Sequence, residues 1–189
     1  MGSVSWNHEW RAAPLSPRSG SQSFTPPRQE PFNLARLSVL LFDDDFHSRG
    51  SLRECLRAAG VMRITEASCD NSSVAAGFGL PSHIDVIFSE VRLRNGNGLA
   101  LLKAVRMGRI RPLKPDICFI LFTGQVDNAL VRTAAELDAN GYVGKPAAPE
   151  RVRNAIMRGR DKAFTPDSAR YRLVDTSVAG NGFGIHAVS

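Results

Sequence analysis

The sequence is poor in cysteine and in long apolar runs. Its 189 residues contain only Cys55, Cys69 and Cys118, and their spacing matches no metal-ligand or disulfide pattern. No run reaches the roughly 18 apolar residues that a membrane span needs, and the N-terminus lacks the apolar segment of a secretory signal. These absences predict a reduced, cytoplasmic protein that has no membrane partner.

Concentrated charge is also missing. The net charge of +6 is spread along the chain, whereas nucleic-acid-binding proteins usually concentrate basic residues on one face or tail. The sequence therefore predicts no nucleic-acid partner. One group of basic residues is close together in the sequence, and we interpret it as a solvated helix end and loop rather than an anion site. Its members are Lys103, Arg106, Arg109, Arg111 and Lys114.

The composition divides the chain into three parts. Residues 1–34 are rich in Ser, Pro and Arg and have no hydrophobic period, which predicts a flexible N-terminal arm. Residues 35–159 carry most of the apolar runs and are predicted to form one domain. Residues 160–189 are too few for a second domain, and we interpret them as a C-terminal tail. With 43% hydrophobic residues, the chain has enough apolar surface to bury a core.

Five short apolar runs alternate with helix-like stretches in the central part. The runs cover residues 37–42, 63–67, 84–88, 116–122 and 142–144. Helix signals between them include Asn97 as an N-cap and Pro149 in a first turn. Continuous rather than alternating apolar runs are typical of strands that are buried on both faces, as in parallel sheets. The sequence therefore predicts an α/β fold, a (βα)5 doubly wound domain with a five-stranded parallel sheet.

Polar residues follow four of the five runs. Ligands of open parallel sheets bind at the carboxyl ends of the strands, so these residues are expected to lie close together. Two carboxylates about 4 Å apart repel by roughly 4 kcal/mol at an effective dielectric near 20. The cluster thus requires a hard cation such as Mg²⁺, protonation of a carboxylate, or the ammonium of Lys145. The residues are Asp43, Asp44 and Asp45 after the first run, Ser89 and Glu90 after the third, Thr123 after the fourth and Lys145 after the fifth.

Several motifs together resemble the receiver domains of response regulators in two-component signalling, including the stand-alone chemotaxis (CheY-like) type. The motifs are VLLFDD at 39–44, IDVIFSEVRLRNGNGLALL at 84–102, FTG at 122–124 and GYVGKP at 141–146. The resemblance covers about residues 37–158. It implies a flavodoxin-like receiver fold and a signalling protein rather than an enzyme.

The resemblance also implies roles for single residues. Asp43 and Asp44 correspond to the acidic pair that holds Mg²⁺, together with Glu90 at the phosphoacceptor position. Thr123 corresponds to the hydroxyl that binds the phosphoryl group, and Lys145 to the lysine that contacts the same phosphate.

A partner surface is implied by the same resemblance. Tyr142 falls at the aromatic switch position, which reports the state of the site to the face of the fourth helix, fifth strand and fifth helix (the α4-β5-α5 face of the family). A histidine kinase or a downstream effector is the protein partner expected there. The Lys145–Pro146 peptide is expected to be cis, as in the family.

Two residues depart from the family pattern. Receivers carry an aspartate where this chain has Glu90, and the extra methylene moves the carboxylate more than about 1 Å further, which can cost about 100-fold in transfer rate. Arg94 stands where the family usually has proline. We therefore expect a pseudo-receiver that is independent of aspartyl phosphorylation and binds Mg²⁺ weakly. Glu90 then either imitates a phosphorylated aspartate or is the relic of an abandoned site.

One enzyme class remains as an alternative. Haloacid-dehalogenase-like phosphatases also have a hydrophobic strand followed by Asp-x-Asp, here Asp43 and Asp45, and a downstream Thr and Lys. Against this alternative, His47 replaces the expected Thr or Val. No late acidic pair completes a metal site after Lys145.

Overall fold

Five parallel strands form the central sheet. The computed structural model describes residues 33–68, 80–94, 96–124 and 127–180. In these ranges the sheet strands are β1 (Ser38–Phe42), β2 (Arg63–Ala67), β3 (Val86–Ser89), β4 (Cys118–Thr123) and β5 (Gly141–Gly144). Their order is β2-β1-β3-β4-β5, and every neighbouring pair is parallel. This arrangement confirms the predicted α/β fold with a doubly wound sheet.

In the described part of the chain, four helices of nine or more residues cover the two faces of the sheet. They are α1 (Phe46–Ala58), α2 (Gly98–Arg106), α3 (Asn128–Glu136) and α4 (Pro149–Asp161). Asn97 caps α2 through its side chain, and Pro149 opens the first turn of α4, as the sequence predicts. Within the described ranges, no helix has both the length and the apolar character needed to cross a bilayer.

Alternate side chains of the strands fill two separate cores. In β1, Val39 and Leu41 enter the core that α1 and α4 share, whereas Leu40 and Phe42 enter the core that α2 and α3 share. All four side chains are at most 2% exposed. Burial on both faces explains why these strands read as continuous apolar runs.

The folded domain extends beyond the predicted boundaries at both ends. Leu34, assigned to the arm from the sequence, lies in a 3-10 turn and is buried in the α1/α4 core. Residues assigned to the C-terminal tail form helix α5 (Ser168–Leu173) and a 3-10 turn (Ser177–Ala179). Tyr171 of α5 is fully buried in the α2/α3 core. The tail prediction therefore needs correction over residues 162–180, because Val174 and Ala179 are buried in the same core as Tyr171.

Part of the chain lies outside the described residues. This part comprises residues 1–32, 69–79, 95, 125–126 and 181–189. It contains most of the predicted arm, most of the stretch between the second and third apolar runs, Cys69 and the last part of the predicted tail.

The basic cluster near the end of α2 is only partly solvated, which corrects the interpretation from the sequence. Arg106 is fully buried. Its guanidinium donates to the carbonyl oxygens of Pro115, Ile117 and Asp138 and to Oδ1 of Asn140, at 2.7–2.9 Å. Burial lowers the pKa of Arg106 to about 10, so the group stays charged at neutral pH. Arg106 therefore joins the end of α2 to the chain segments that follow it.

Replacing Arg106 with methionine should destabilise the domain strongly. Arg106→Met keeps an apolar side chain of similar reach but removes the guanidinium donor from three carbonyl oxygens, while Oδ1 of Asn140 keeps the N–H of Phe119 as a donor. We expect a loss of about 3 kcal/mol or more in the free energy of unfolding, measured by urea denaturation. Arg109→Met, at an exposed position three residues on, serves as the control and should change stability by less than about 0.5 kcal/mol. Equal stabilities of the two variants would contradict the structural role of Arg106.

Candidate functional site

The register of the sheet brings the predicted site residues to one edge. Phe42 lies opposite Ser89 on the neighbouring strand, and Thr123 lies opposite Gly144. Ser89 in turn lies opposite Leu121, so β4 and β5 extend two residues beyond the ends of β1 and β3. The residues that directly follow β1, β3 and β5 leave the same end of the sheet. They are Asp43 after β1, Glu90 after β3 and Lys145 after β5. The edge also lies where the chain order reverses between β1 and β3, the usual ligand position in such sheets.

Lys145 links two of the carboxylates. Its Nζ lies 2.7 Å from Oδ2 of Asp43 and 2.5 Å from Oε2 of Glu90. Partial burial lowers the pKa of Lys145, but the hydrogen bonds and charges of Asp43 and Glu90 outweigh that effect and raise the pKa above its ordinary value. The ammonium therefore stays protonated at neutral pH. It supplies a positive charge beside the carboxylates, one of the ways of compensating their repulsion that we expect from the sequence.

The second oxygen of Glu90 is held by the backbone. Oε1 accepts hydrogen bonds from the N–H groups of Val91 at 2.6 Å and Arg92 at 3.2 Å. The main chain of Glu90 also packs closely against Gly98. A Cβ at position 98 would collide with the carbonyl oxygen of Glu90. Both carboxylate oxygens of Glu90 thus have defined partners.

Asp43 is 4% exposed, and both of its carboxylate oxygens accept hydrogen bonds. Oδ1 accepts from the N–H of Asp45 at 2.9 Å, and Oδ2 accepts from the hydroxyl of Ser48 at 2.7 Å in addition to Lys145. Arg49 donates to the carbonyl oxygen of Asp43 at 2.5 Å. The sequence analysis did not identify Ser48 and Arg49 as site residues. Their position in the first turn of the helix after the acidic loop is the signal that indicates them.

Asp44 is bound by one of the residues that depart from the family pattern. The N–H of Arg94 donates to Oδ2 of Asp44 at 2.7 Å. A proline at position 94 has no N–H and could not form this hydrogen bond. The replacement of proline by arginine therefore gives Asp44 a backbone partner within the chain.

Thr123 and Tyr142 lie on the strands beside Lys145. Thr123 is buried at the end of β4, and its carbonyl oxygen accepts from the N–H of Lys145 at 2.9 Å. Tyr142 is half-buried against the α2/α3 core. Burial raises the pKa of its hydroxyl to about 12, and the negative charges of Glu90 and Asp127 act in the same direction. The Lys145–Pro146 peptide is cis, as the resemblance implies.

The three carboxylates predicted to hold Mg²⁺ do not fit a metal ion as they are arranged. In the described ranges, no three His, Cys, Asp or Glu side chains form a group that could hold one. Instead, Asp43 and Glu90 bind Lys145, and Asp44 binds the N–H of Arg94. The ammonium of Lys145 and the backbone N–H of Arg94 thus bind the carboxylate oxygens for which a hard cation would have to compete.

Asp45 has a structural role in this arrangement. Its side chain caps α1 by accepting from the N–H of Ser48 at 2.6 Å, and this hydrogen bond lowers the pKa of the exposed carboxyl. The phosphatase alternative makes Asp45, together with Asp43, a member of the Asp-x-Asp motif of the site. The capping geometry does not support that role.

Comparison with known proteins agrees with the family resemblance and with the fold of the sheet. A family model described as the response regulator receiver domain matches residues 39–157. The chain is 32% identical over 121 residues to a probable chemotaxis protein CheY of Rhizobium etli, covering 64% of this chain and 90% of that protein. It is 30% identical over 121 residues to the response regulator UvrY of Escherichia coli, covering 64% of this chain and 52% of that protein.

A solved structure shows the same fold. The chemotaxis response regulator CheY4 of Vibrio cholerae is 23% identical to this chain. It aligns with a TM-score of 0.52, over 65% of this chain and 98% of that chain.

Removing the ammonium should improve metal binding. Because Lys145 competes for oxygens of Asp43 and Glu90, we expect weak Mg²⁺ binding in the unmodified protein and affinity at least about tenfold higher in Lys145→Ala, since one charge at contact distance is worth several kcal/mol. Titration calorimetry with MgCl₂ measures both. Lys114→Ala, which removes an exposed lysine at the other end of the sheet, should leave the affinity unchanged. Unchanged or weaker binding in Lys145→Ala would contradict the competition.

Proposed function

The chain belongs to the response regulator receiver domain family of two-component signalling, and we propose that it is a cytoplasmic pseudo-receiver whose state does not depend on aspartyl phosphorylation. It acts as a binding module rather than an enzyme, through contact with a protein partner. The comparisons provide no support for the haloacid-dehalogenase alternative.

The contact between Glu90 and Lys145 is the observation that carries the proposal. In the family, the corresponding lysine contacts the phosphoryl group of the phosphorylated aspartate. Here Oε2 of Glu90 lies 2.5 Å from Nζ of Lys145, so an anionic oxygen already occupies that contact. The longer glutamate side chain brings this charge to the lysine without a covalent modification. This supports an active-like state that is built into the sequence.

The hydrogen bonds of Glu90 also disfavour its phosphorylation. A nucleophilic carboxylate oxygen must approach the phosphorus in line with the leaving group. In Glu90, one oxygen is bound to Lys145 and the other accepts from the N–H groups of Val91 and Arg92. Attack would require the loss of one of these contacts in addition to the displacement caused by the extra methylene.

The predicted partner surface lies beside the site. It consists of α3, β5 and α4, which are the elements that correspond to the family's α4-β5-α5 face, and we call it the output face. A groove on this face runs between β5 and α4, with Tyr142, Arg151 and Arg158 among its lining residues. Val131 and Arg132 are exposed on α3. A histidine kinase or a downstream effector is the kind of partner that we propose for it.

Small phosphodonors should not modify the protein. After incubation with acetyl phosphate and Mg²⁺, intact-mass spectrometry of the unmodified chain should show no added phosphoryl group, because Glu90 is held away from in-line attack. Glu90→Asp combined with Arg94→Pro restores both family residues and is the positive comparison, for which we expect one added phosphoryl group. A hydroxylamine-sensitive phosphoryl group on Glu90 of the unmodified chain would refute phosphorylation independence.

Imitation of the phosphorylated state has a separate test. Beryllofluoride is an analogue of the phosphoryl group, and we expect Glu90→Asp to bind it in the presence of Mg²⁺. If Glu90 imitates phosphoaspartate, the amide NMR spectrum of the unmodified protein over residues 128–136 and 141–144 should resemble Glu90→Asp with beryllofluoride. A resemblance to Glu90→Asp without beryllofluoride would mean that Glu90 is a relic and that the scaffold alone carries recognition.

A further inference from the structure

The segment after α4 packs across the two helices on one face of the sheet. Helix α5 contacts α2, and the 3-10 turn Ser177–Ala179 contacts α3. Tyr171, Val174 and Ala179 are buried in the α2/α3 core, with exposures of 0%, 8% and 2%. These anchors cover about ten residues of chain, so the segment is fastened along its length and not at one point.

The end of α3 is tied directly to this segment. Asp138 follows α3 with a positive φ of 53°, and its Oδ2 accepts a hydrogen bond from the Tyr171 hydroxyl at 2.8 Å. The same carboxylate oxygen forms an ion pair with Arg170. On the other side, Arg106 of α2 donates to the carbonyl oxygen of Asp138 at 2.9 Å. The residue that ends α3 is therefore held by both α2 and the C-terminal segment.

Two lysines make further contacts with carbonyl oxygens. Nζ of Lys103, on α2, donates to the carbonyl oxygens of Arg172 at 3.0 Å and Val174 at 2.7 Å. These carbonyls lie at the end of α5, where a cation is favourable. Nζ of Lys162 donates to the carbonyl oxygen of Ala139 at 2.7 Å, just after α3. The segment is thus linked to α2 and to the turn after α3 by charged donors.

The segment also reaches the loop that carries Glu90. Nδ2 of Asn97 donates to the carbonyl oxygens of Thr176 and Gly180, both at 3.2 Å. Asn97 is paired with Arg92 in a short antiparallel hairpin, and the N–H of Arg92 donates to Oε1 of Glu90. One buried side chain therefore connects the C-terminal segment with the hairpin that follows Glu90.

We propose that residues 162–180 form an intramolecular strap that holds α3 and the hairpin after Glu90 in a fixed position against α2. A receiver that switches must move such elements between two arrangements. The strap stabilises one arrangement and covers the surface where α2 and α3 meet. A partner that displaces α3 must first release the strap. The strap therefore regulates the movement of α3 in addition to the site around Glu90. The strap rests on its own contacts and not on imitation of phosphate by Glu90.

Hydrogen–deuterium exchange of the full-length chain tests the strap. Lys103→Met combined with Tyr171→Phe removes three hydrogen bonds between the strap and the domain but keeps the apolar parts of both side chains. We expect amide exchange to accelerate by about tenfold or more in residues 128–136 and 91–98. Lys114→Met makes the same substitution at an exposed lysine that donates none of the hydrogen bonds described above between the strap and the domain. It is the matched control and should leave these regions unchanged.

The strands of the sheet provide the internal reference. Amides of β1 and β3 should exchange at the same rate in the double variant as in the unmodified chain. Acceleration confined to residues 162–180 would overturn the proposal, because the segment would then be an appendage without influence on α3. Equal acceleration in β1, β3 and α3 would also overturn it, because the segment would then contribute only to overall stability. Neither result depends on whether Glu90 imitates phosphoaspartate.

Discussion

The ammonium of Lys145 between Asp43 and Glu90 is the interaction on which the site depends. Two carboxylates at the ends of adjacent strands repel each other in a partly buried environment. Lys145 compensates this repulsion with contacts of 2.7 Å and 2.5 Å. Its main chain continues β5, whose Tyr142 faces the α2/α3 core. β5 and its continuation at Lys145 therefore contribute both to the output face and to the compensation of the carboxylates of Asp43 and Glu90.

The two departures from the family pattern have related effects. Glu90 reaches Lys145 directly, and Arg94 provides an N–H for Asp44 that proline could not provide. Together they supply partners from within the chain for carboxylates that would otherwise favour a cation. These contacts lie within the chain and support the proposal that the state of the domain does not depend on phosphorylation.

Buried polar contacts also hold the part of the domain where α2, the end of α3 and the C-terminal segment meet. Arg106 and Asp138 join α2, the end of α3 and the C-terminal segment through hydrogen bonds. Such a network specifies one arrangement, because a buried polar group that loses its partner is costly. Asn97 extends the network towards Glu90. The strap and the acidic site are therefore joined by a short chain of contacts.

The sequence by itself determined the five strands, their burial on both faces as in a parallel sheet, and the residues that follow them. These features are local, because they depend on apolar periodicity and on the residue types in the loops. It also identified Glu90 as the residue that differs from the family. Only the tertiary structure decided that Lys145 contacts Glu90 and that Arg94 binds Asp44. It also showed that Arg106 is buried, although the sequence predicts that its basic cluster is solvated. It also decided that residues 162–180 belong to the domain. These outcomes depend on contacts between residues far apart in the chain, whose partners a local pattern does not reveal.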